Sequence, residues 1–411
     1  MSVFNEKINA ATTAGSSIPG NARYGDGSGE IVELLLGPLL VNSPVLFVSD
    51  GAIERQHAHA VWTWLLRDVD KSLTGQAHLL STGDSHDNSL ADFALHIAGL
   101  IAQARETNEK NPDAARRFQI QLGGEIVHER LPIIEAALRN FLLIEKAVAY
   151  GRAINGVTDE NSLKLALQTF PMDDPGVASL MMHAALGQIA NPVRLVWAVT
   201  EISGGQTQNA VTRSGFAPVI IALLAHAQNQ ISLFASSNTR FSDIDLICRG
   251  LARYHRFIRA VSNITQNDKS CEWSQMVASI VRKMSELIEP RLIKVDSDIR
   301  QALRKPRTGP DIVDPNLQLD ALNGLYLLAA VREALDSLAL NSLVNRLWSE
   351  VGQALEVLIE RNLDMFRKSP DSEFAAKRLD TSIKMAKIRF NPEYAGIIIR
   401  ARDGVAKRAA G

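Results

Sequence analysis

FSDIDLICRGLARYHRFIRAVSNI, residues 241–264, holds the pattern that decides the fold. Ile244, Ile247, Leu251, Tyr254, Ile258 and Val261 recur at three- and four-residue spacing, which puts them on one face of an α-helix. Ser242 with Asp245 makes an acidic variant of the capping box that marks a helix start. Opposite the apolar face run Arg249, Arg253 and Arg256, at i, i+4 and i+7, with Arg259 beside them. No acid interrupts the run from Arg249 to Arg259. Guanidinium forks grip phosphate through charge-assisted, often paired hydrogen bonds, so the stripe suits a phosphate backbone. A solvated helix face carries the same pattern, and no residue here stands out as a reader of base edges. Nucleic acid held this way would be bound through its backbone and released by salt.

Working outward, the helical signal continues in both directions. Ile53, His57, Ala60, Val61, Trp64 and Leu65 share one helical face, as do Leu90, Phe93, Ile97, Leu100 and Ile101. Residues 132–150 repeat the pattern through Ile134, Leu138, Phe141 and Leu142. Asp174-Pro175 and Asn191-Pro192 each offer an N-cap side chain followed by a proline whose missing N–H costs nothing at the first helical position. Ser203-Gly204-Gly205 and the polar run 204–214 mark a break. Trp273, Val277, Ile280, Met284 and Leu287 predict the next helix, KPRTGPDIVDPN (305–316) a loop, and 317–340 and 342–367 two more helices. No strand series and no fixed-period repeat is present. The fold class is therefore all-α, with two helical lobes and flexible arms at both ends. The boundaries fall at 1–30 for an N-terminal arm, 31–205 and 206–369 for the lobes, and 370–411 for a basic C-terminal arm. The Gly/Ala/Ser/Thr/Asn composition of 1–30 cannot bury enough apolar surface to fold alone.

Composition narrows the classes further. A chain of 411 residues accommodates two domains of about 100–200 residues each. Its 46% apolar content is that of a globular protein, neither disordered nor fibrous. With 44 Lys+Arg against 45 Asp+Glu the net charge is −1, which excludes a uniform polycation. Charge distribution matters more than its sum, and 377–411 alone carries nine basic residues against three acids. Cys248 and Cys271 build neither a disulfide framework nor a metal pattern, which suits a reducing, intracellular setting. The N-terminus lacks a signal peptide's apolar stretch, and the window Ile31–Val48 is broken by Glu33, Pro38, Asn42 and Pro44, so no membrane span is expected.

No Walker loop, G-x-S-x-G or dinucleotide fingerprint occurs, so neither catalysis nor a cofactor is expected. The one metal-like feature is a doubled E-x-x-H, Glu54/His57 and Glu125/His128. Di-iron bundles use two such pairs plus two further glutamates. No matching glutamates are evident, and His57 and His59 lie on different helical faces, so ordinary surface and part-buried histidines are the preferred reading. Arg249 beside Cys248 would favour a thiolate, though a structural thiol is the simpler assignment.

Several segments in order resemble the nucleoproteins of non-segmented negative-strand RNA viruses, nearest in pattern to the paramyxovirus type. The chain opens MSVFNE and runs into a Gly/Ala/Ser/Asn arm. PVLFVSDGAIERQHAHAVWTWLLRDVDKS (44–72) resembles the family's early P-V-F segment and the Arg-containing helix after it. TRSGFAPVIIALLAHAQ (212–228) resembles the N-x-G-L-x-x-F-F-L-x-L-K-Y-G helix, and FSDIDLICRGLARYHRF (241–257) the helix that follows. LDALNGLYLLAAVREALD (319–336) resembles the F-x-x-x-x-Y-x-x-x-x-S-x-A-M-G region, with LVNRLW (343–348) as the next basic-aromatic stretch.

The resemblance implies a non-catalytic protein that coats single-stranded viral RNA in a groove between two helical lobes. It also implies that 1–30 and 370–411 exchange with neighbouring copies to build rings or a helical nucleocapsid. Phosphoprotein and polymerase would be partners, and the location a ribonucleoprotein in the virion or host cytoplasm. Arg346 matches the position of an RNA-contacting arginine in the family, with Arg213 and Arg240 as weaker carry-overs. Charge and spacing add Arg194 and Arg253. The rival readings are a helical adaptor or scaffold without nucleic acid and, third, a di-iron bundle enzyme on Glu54, His57, Glu125 and His128.

Overall fold

The computed structural model describes residues 28–42, 46–81, 87–171, 174–236, 243–306 and 312–410. The expected N-terminal arm, except its last three residues, lies outside this range, as do Ser242 and Arg240. The described chain is all-α. Its only strands among the described residues are Leu40–Val41 and Ile53–Glu54, a two-residue parallel pair. Two compact units form: the described residues up to Ser232 together with Arg256–Val277, and Leu233–His255 together with Ala278 onward. The polar loop at 204–207 lies inside the first unit, where Gln208 Oε1 accepts from the Trp273 N–H at 3.2 Å.

The first unit opens with α1 (Ser28–Leu36), α2 (Arg55–Trp64), α3 (Leu73–Ser81), α4 (Asp87–Asn108), α5 (Pro112–Leu122) and α6 (Glu125–Arg139). It continues with α7 (Phe141–Ile154), α8 (Glu160–Gln168), α9 (Pro175–Leu186), α10 (Pro192–Ile202) and α11 (Gln208–Arg213). Most of α12 (Ala217–Ser236), the second half of α13 (Ile244–Asn267) and the start of α14 (Glu272–Ile293) complete it. Both proline-marked starts are observed, and Asp174 Oδ1 accepts from the Gly176 and Val177 N–H groups at 2.9 and 3.2 Å. The run read as one helix over 132–150 is two, α6 and α7. They break at Asn140, whose side-chain amide donates to the Ala136 carbonyl at 2.9 Å. The Asn140 N–H keeps its own bond to the same carbonyl at 3.0 Å, and the break lies in the non-helical backbone of Asn140, φ −103° and ψ 24°. Helices α7 and α9 pack backbone to backbone, because a Cβ on Gly151 would overlap the Ala185 carbonyl.

Helix α12 organises the unit. Gln228, 2% exposed, accepts from the Leu46 and Phe47 N–H groups at 2.9 and 3.3 Å and donates to the Phe47 carbonyl at 3.0 Å. Asn229 Oδ1 accepts from Asn42 N–H at 2.9 Å, and Ser232 Oγ donates to the Asn42 carbonyl at 3.0 Å. A non-helical stretch of backbone is thereby satisfied by side chains of one helix. Each buried polar group left without a partner costs about 1–3 kcal/mol. Gln228→Leu is accordingly expected to destabilise the protein by about 2–4 kcal/mol, read as a lower urea midpoint at an unchanged slope.

A second polar feature lies under α12. His183 is 1% exposed and its ring stacks on His226 at 4.2 Å, while His226 Nε2 meets the His183 carbonyl at 2.8 Å. Burial, then the neighbouring His226, holds His183 well below the ordinary imidazole value. The folded state therefore keeps His183 neutral while the unfolded chain takes up a proton as pH falls through about 6.5. This contribution to stability is present above that value and lost below it. His183→Leu should narrow the fall in urea midpoint between neutral and mildly acidic buffer; equal falls in both proteins would refute the assignment.

The second unit holds the first half of α13, most of α14, and α15 (Val295–Leu303), α16 (Pro315–Glu333), α17 (Asn341–Lys368), α18 (Glu373–Arg389) and α19 (Pro392–Ala410). Its core contains Leu325, Leu328, Val331, Val344, Val351, Leu355, Leu379 and Met385, all buried. Tyr254 Oη donates to the Ser337 carbonyl at 2.9 Å, joining α13 to the turn before α17. Residues 373–410, expected as part of a mobile basic arm, instead supply α18 and α19, which pack on α17. The reason is apolar content at helical spacing: Leu379, Ile383, Met385, Ala386, Ala395 and Ile398 are buried. Within this segment Arg378, 1% exposed, is structural and donates to the Ile312 carbonyl at 3.3 Å.

Candidate nucleic-acid interface

The arginines sort by what their guanidinium groups already touch. Arg194, on α10, donates from Nη1 to the Val157 carbonyl at 2.7 Å and from Nη2 to the Thr158 carbonyl at 2.8 Å. Nearby, Arg256 donates to the Ala190 carbonyl at 3.2 Å, and burial lowers its pKa. Asn155 closes the same region by donating to the Gln188 carbonyl and accepting from the Ala190 N–H, at 2.9 and 2.8 Å. Arg194 and Arg256 thus tie down the loops after α7 and α9. Arg253 is half-buried and engaged within the fold. Arg249 is exposed, with Nε 3.3 Å from the Asp245 carbonyl. Arg213, in the last turn of α11, and Arg259, on α13, are exposed with no ion pair among the described residues. The stripe that looked continuous in sequence therefore has free members and spent ones.

Arg346, placed by resemblance, is exposed on α17 and unpaired among the described residues. The helical period puts Glu350, Gln353, Val357 and Arg361 on the same face, and all four are exposed. Along this face α17 borders α15. Arg300, Arg304, Arg361, Gln353, Ala354, Val357 and Leu358 line a cleft of about 270 Å³ there. Arg304 and Arg361 are exposed and unpaired among the described residues, whereas Arg300 is held by Asp296 at 2.7 Å. Sequence inspection missed these three arginines because one lies on α15, one at its C-terminal cap and one on α17, far apart in the chain.

Trp348 faces the opposite side of α17. The Arg332 and Arg389 guanidinium carbons lie 4.5 and 4.2 Å from its ring centroid. Arg389 also donates to the Trp348 carbonyl at 3.1 and 2.8 Å through Nε and Nη2. Gly352 makes this possible, since a Cβ there would overlap the Arg389 guanidinium. The aromatic residue of LVNRLW is thus already engaged by two cations of its own chain, while Arg346 of the same stretch is free.

The remaining candidates resolve as follows. His57 Nδ1 lies 3.8 Å from Glu54 Oε1, and His128 Nε2 lies 3.8 Å from Glu109 rather than Glu125. The His128 ring packs edge-on against Phe118 at 5.6 Å. Among the described residues no three His, Cys, Asp or Glu side chains gather where a metal ion could be held. Burial, with Asp245, Asp243 and Glu333 adding to it, pushes the Cys248 thiol up to about 12, opposite to the effect expected from Arg249. Helix α12 has the length and hydropathy of a membrane span, yet 67% of that window is buried inside the fold, and Gln228, Asn229 and Ser232 anchor it to the backbone of Asn42, Leu46 and Phe47.

Arg194→Met should lower stability by about 1–3 kcal/mol, because two carbonyls lose charged donors. Chemical denaturation checks this, and an unchanged midpoint would show that the tie to 157–158 carries no load. Compared with protein-family models, with curated proteins and with solved structures, the chain matches none.

Proposed function

We propose that this chain binds single-stranded RNA along its sugar–phosphate backbone, without reading sequence, and assembles with copies of itself as a viral nucleoprotein. The observation that carries this reading is Arg346: the residue singled out by resemblance is exposed and lacks an acid partner among the described residues. Arg213 and Arg259 in the first unit, exposed and without an ion pair among the described residues, support it, since charges not spent inside the fold remain available to phosphates. Bases would be left unread, because Trp348, on the opposite side of α17, is already covered by Arg332 and Arg389. Ile120, Ile126 and Leu142, exposed on α5, α6 and α7, offer apolar surface for contacts between copies. Weak binding per subunit would then add up along the strand. Phosphoprotein and polymerase partners, and a ribonucleoprotein in virion or host cytoplasm, follow from the resemblance. The reading includes no catalytic step and no cofactor.

Purified protein should carry nucleic acid, seen as a raised 260/280 nm absorbance ratio, with rings or filaments in electron micrographs. A monomer that fails to bind single-stranded RNA at low salt would overturn the proposal and favour a helical adaptor. Arg346→Glu should release RNA while far-ultraviolet circular dichroism stays unchanged. With the milder Arg346→Gln, the slope of log K against log salt should fall by ~0.7, the value of one phosphate contact on a single strand. Unchanged affinity and slope would remove Arg346 from the interface.

A further inference from the structure

The cleft between α15 and α17 has a charge pattern that the rest of the fold does not need. Arg304 caps the C-terminal end of α15, where a cation offsets the helix dipole, yet its guanidinium meets no acid among the described residues. Arg361, from α17, lines the same cleft and is likewise unpaired. Arg300 is oriented by Asp296 at 2.7 Å, which cancels much of its charge, and its raised pKa reflects first that hydrogen bond. Two uncompensated guanidinium groups facing one small volume are mutually repulsive until an anion enters. Glu350, the other acid acting on Arg300, has no place in the lining. Val357, 46% exposed, and Leu358 form an apolar wall beside the charges, and Gln353 adds a neutral donor and acceptor.

We propose that this cleft binds a phosphate monoester. Arg304 and Arg361 take the dianionic phosphate through charge-assisted hydrogen bonds, Arg300 contributes from its Asp296-held position, and the carbon skeleton lies on Val357 and Leu358. Charge selects the monoester over a diester: two free guanidinium groups match two negative charges, whereas a diester carries one. Size selects a small ligand: about 270 Å³ falls just below the ~300–1,000 Å³ of sites for drug-sized molecules. A dinucleotide cofactor does not fit, while a nucleoside monophosphate or the 5′-phosphorylated end of a strand presents the required group. The site is separate from backbone binding through Arg346 and does not depend on it.

Full-length protein is titrated with adenosine monophosphate, with adenosine, and with one short oligonucleotide carrying either a 5′-phosphate or a 5′-hydroxyl. Adenosine monophosphate should bind saturably and adenosine should not. Affinity should rise from about pH 5 to about pH 7.5, as the phosphate loses its second proton near pH 6. Arg304→Gln/Arg361→Gln should weaken binding about tenfold or more, as should Val357→Glu, which keeps the arginines and places a carboxylate in the cleft. Preference for the 5′-phosphorylated oligonucleotide would identify a strand end as the source, and equal affinity for both forms a free nucleotide. Binding of adenosine monophosphate that is absent, independent of pH or unchanged in both variants would overturn the proposal. Binding of the 5′-hydroxyl strand should persist in the cleft variants and fall in Arg346→Gln. Its absence from wild-type protein would count against the RNA reading alone.

Discussion

The carboxamide of Gln228 is the joint on which the first unit depends. The backbone groups of Asn42, Leu46 and Phe47 make no helical hydrogen bonds and need other partners. One helix supplies them, through Gln228, Asn229 and Ser232. Glutamine suits the inner position because it accepts from two N–H groups with its oxygen and donates with its nitrogen. An apolar residue there would leave the same part-buried backbone groups of Leu46 and Phe47 without their side-chain partner. The polar face of α12 also explains why a helix apolar enough for a bilayer lies inside the fold instead.

The same accounting governs the arginines. A guanidinium aimed at backbone carbonyls, as in Arg194, Arg256 and Arg389, is a structural fastener and has little charge to offer elsewhere. A guanidinium at the surface that forms no ion pair among the described residues, as in Arg213, Arg304, Arg346 and Arg361, keeps its capacity for an anion. Sequence spacing cannot make this distinction, because a stripe at i, i+4 and i+7 looks the same whether its members point at carbonyls or at solvent. Net charge is equally blind to it: a total of −1 hides several uncompensated positive positions.

Much of the helical content was legible. Apolar residues at three- and four-residue spacing identified the cores of α2, α4, α13, α14 and α17, since helix formation in a protein is driven by burying one face. Aspartate or asparagine followed by proline located two helix starts, because the capping group and the proline are both local. Three features escaped. Asn140 divides α6 from α7 by leaving the helical backbone at φ −103° and ψ 24°, within an apolar pattern that continues on both sides. The C-terminal segment reads as an arm by its charge excess, but Leu379, Ile383, Met385 and Ile398 are buried and hold it as packed helices. The α15–α17 cleft could not be foreseen, because its arginines meet only after two helices pack.

The amino-acid order already carries the fold class, many of the helices and a pool of arginines from which any anion site must be drawn. These follow from local rules of period, capping and charge. Packing across the chain sets which arginines are spent and which form no ion pair among the described residues, that His183 is buried against His226, and that 373–410 packs as helices. Each of these depends on which groups from distant parts of the chain exclude water from one another, and burial of that kind has no signature in a single segment.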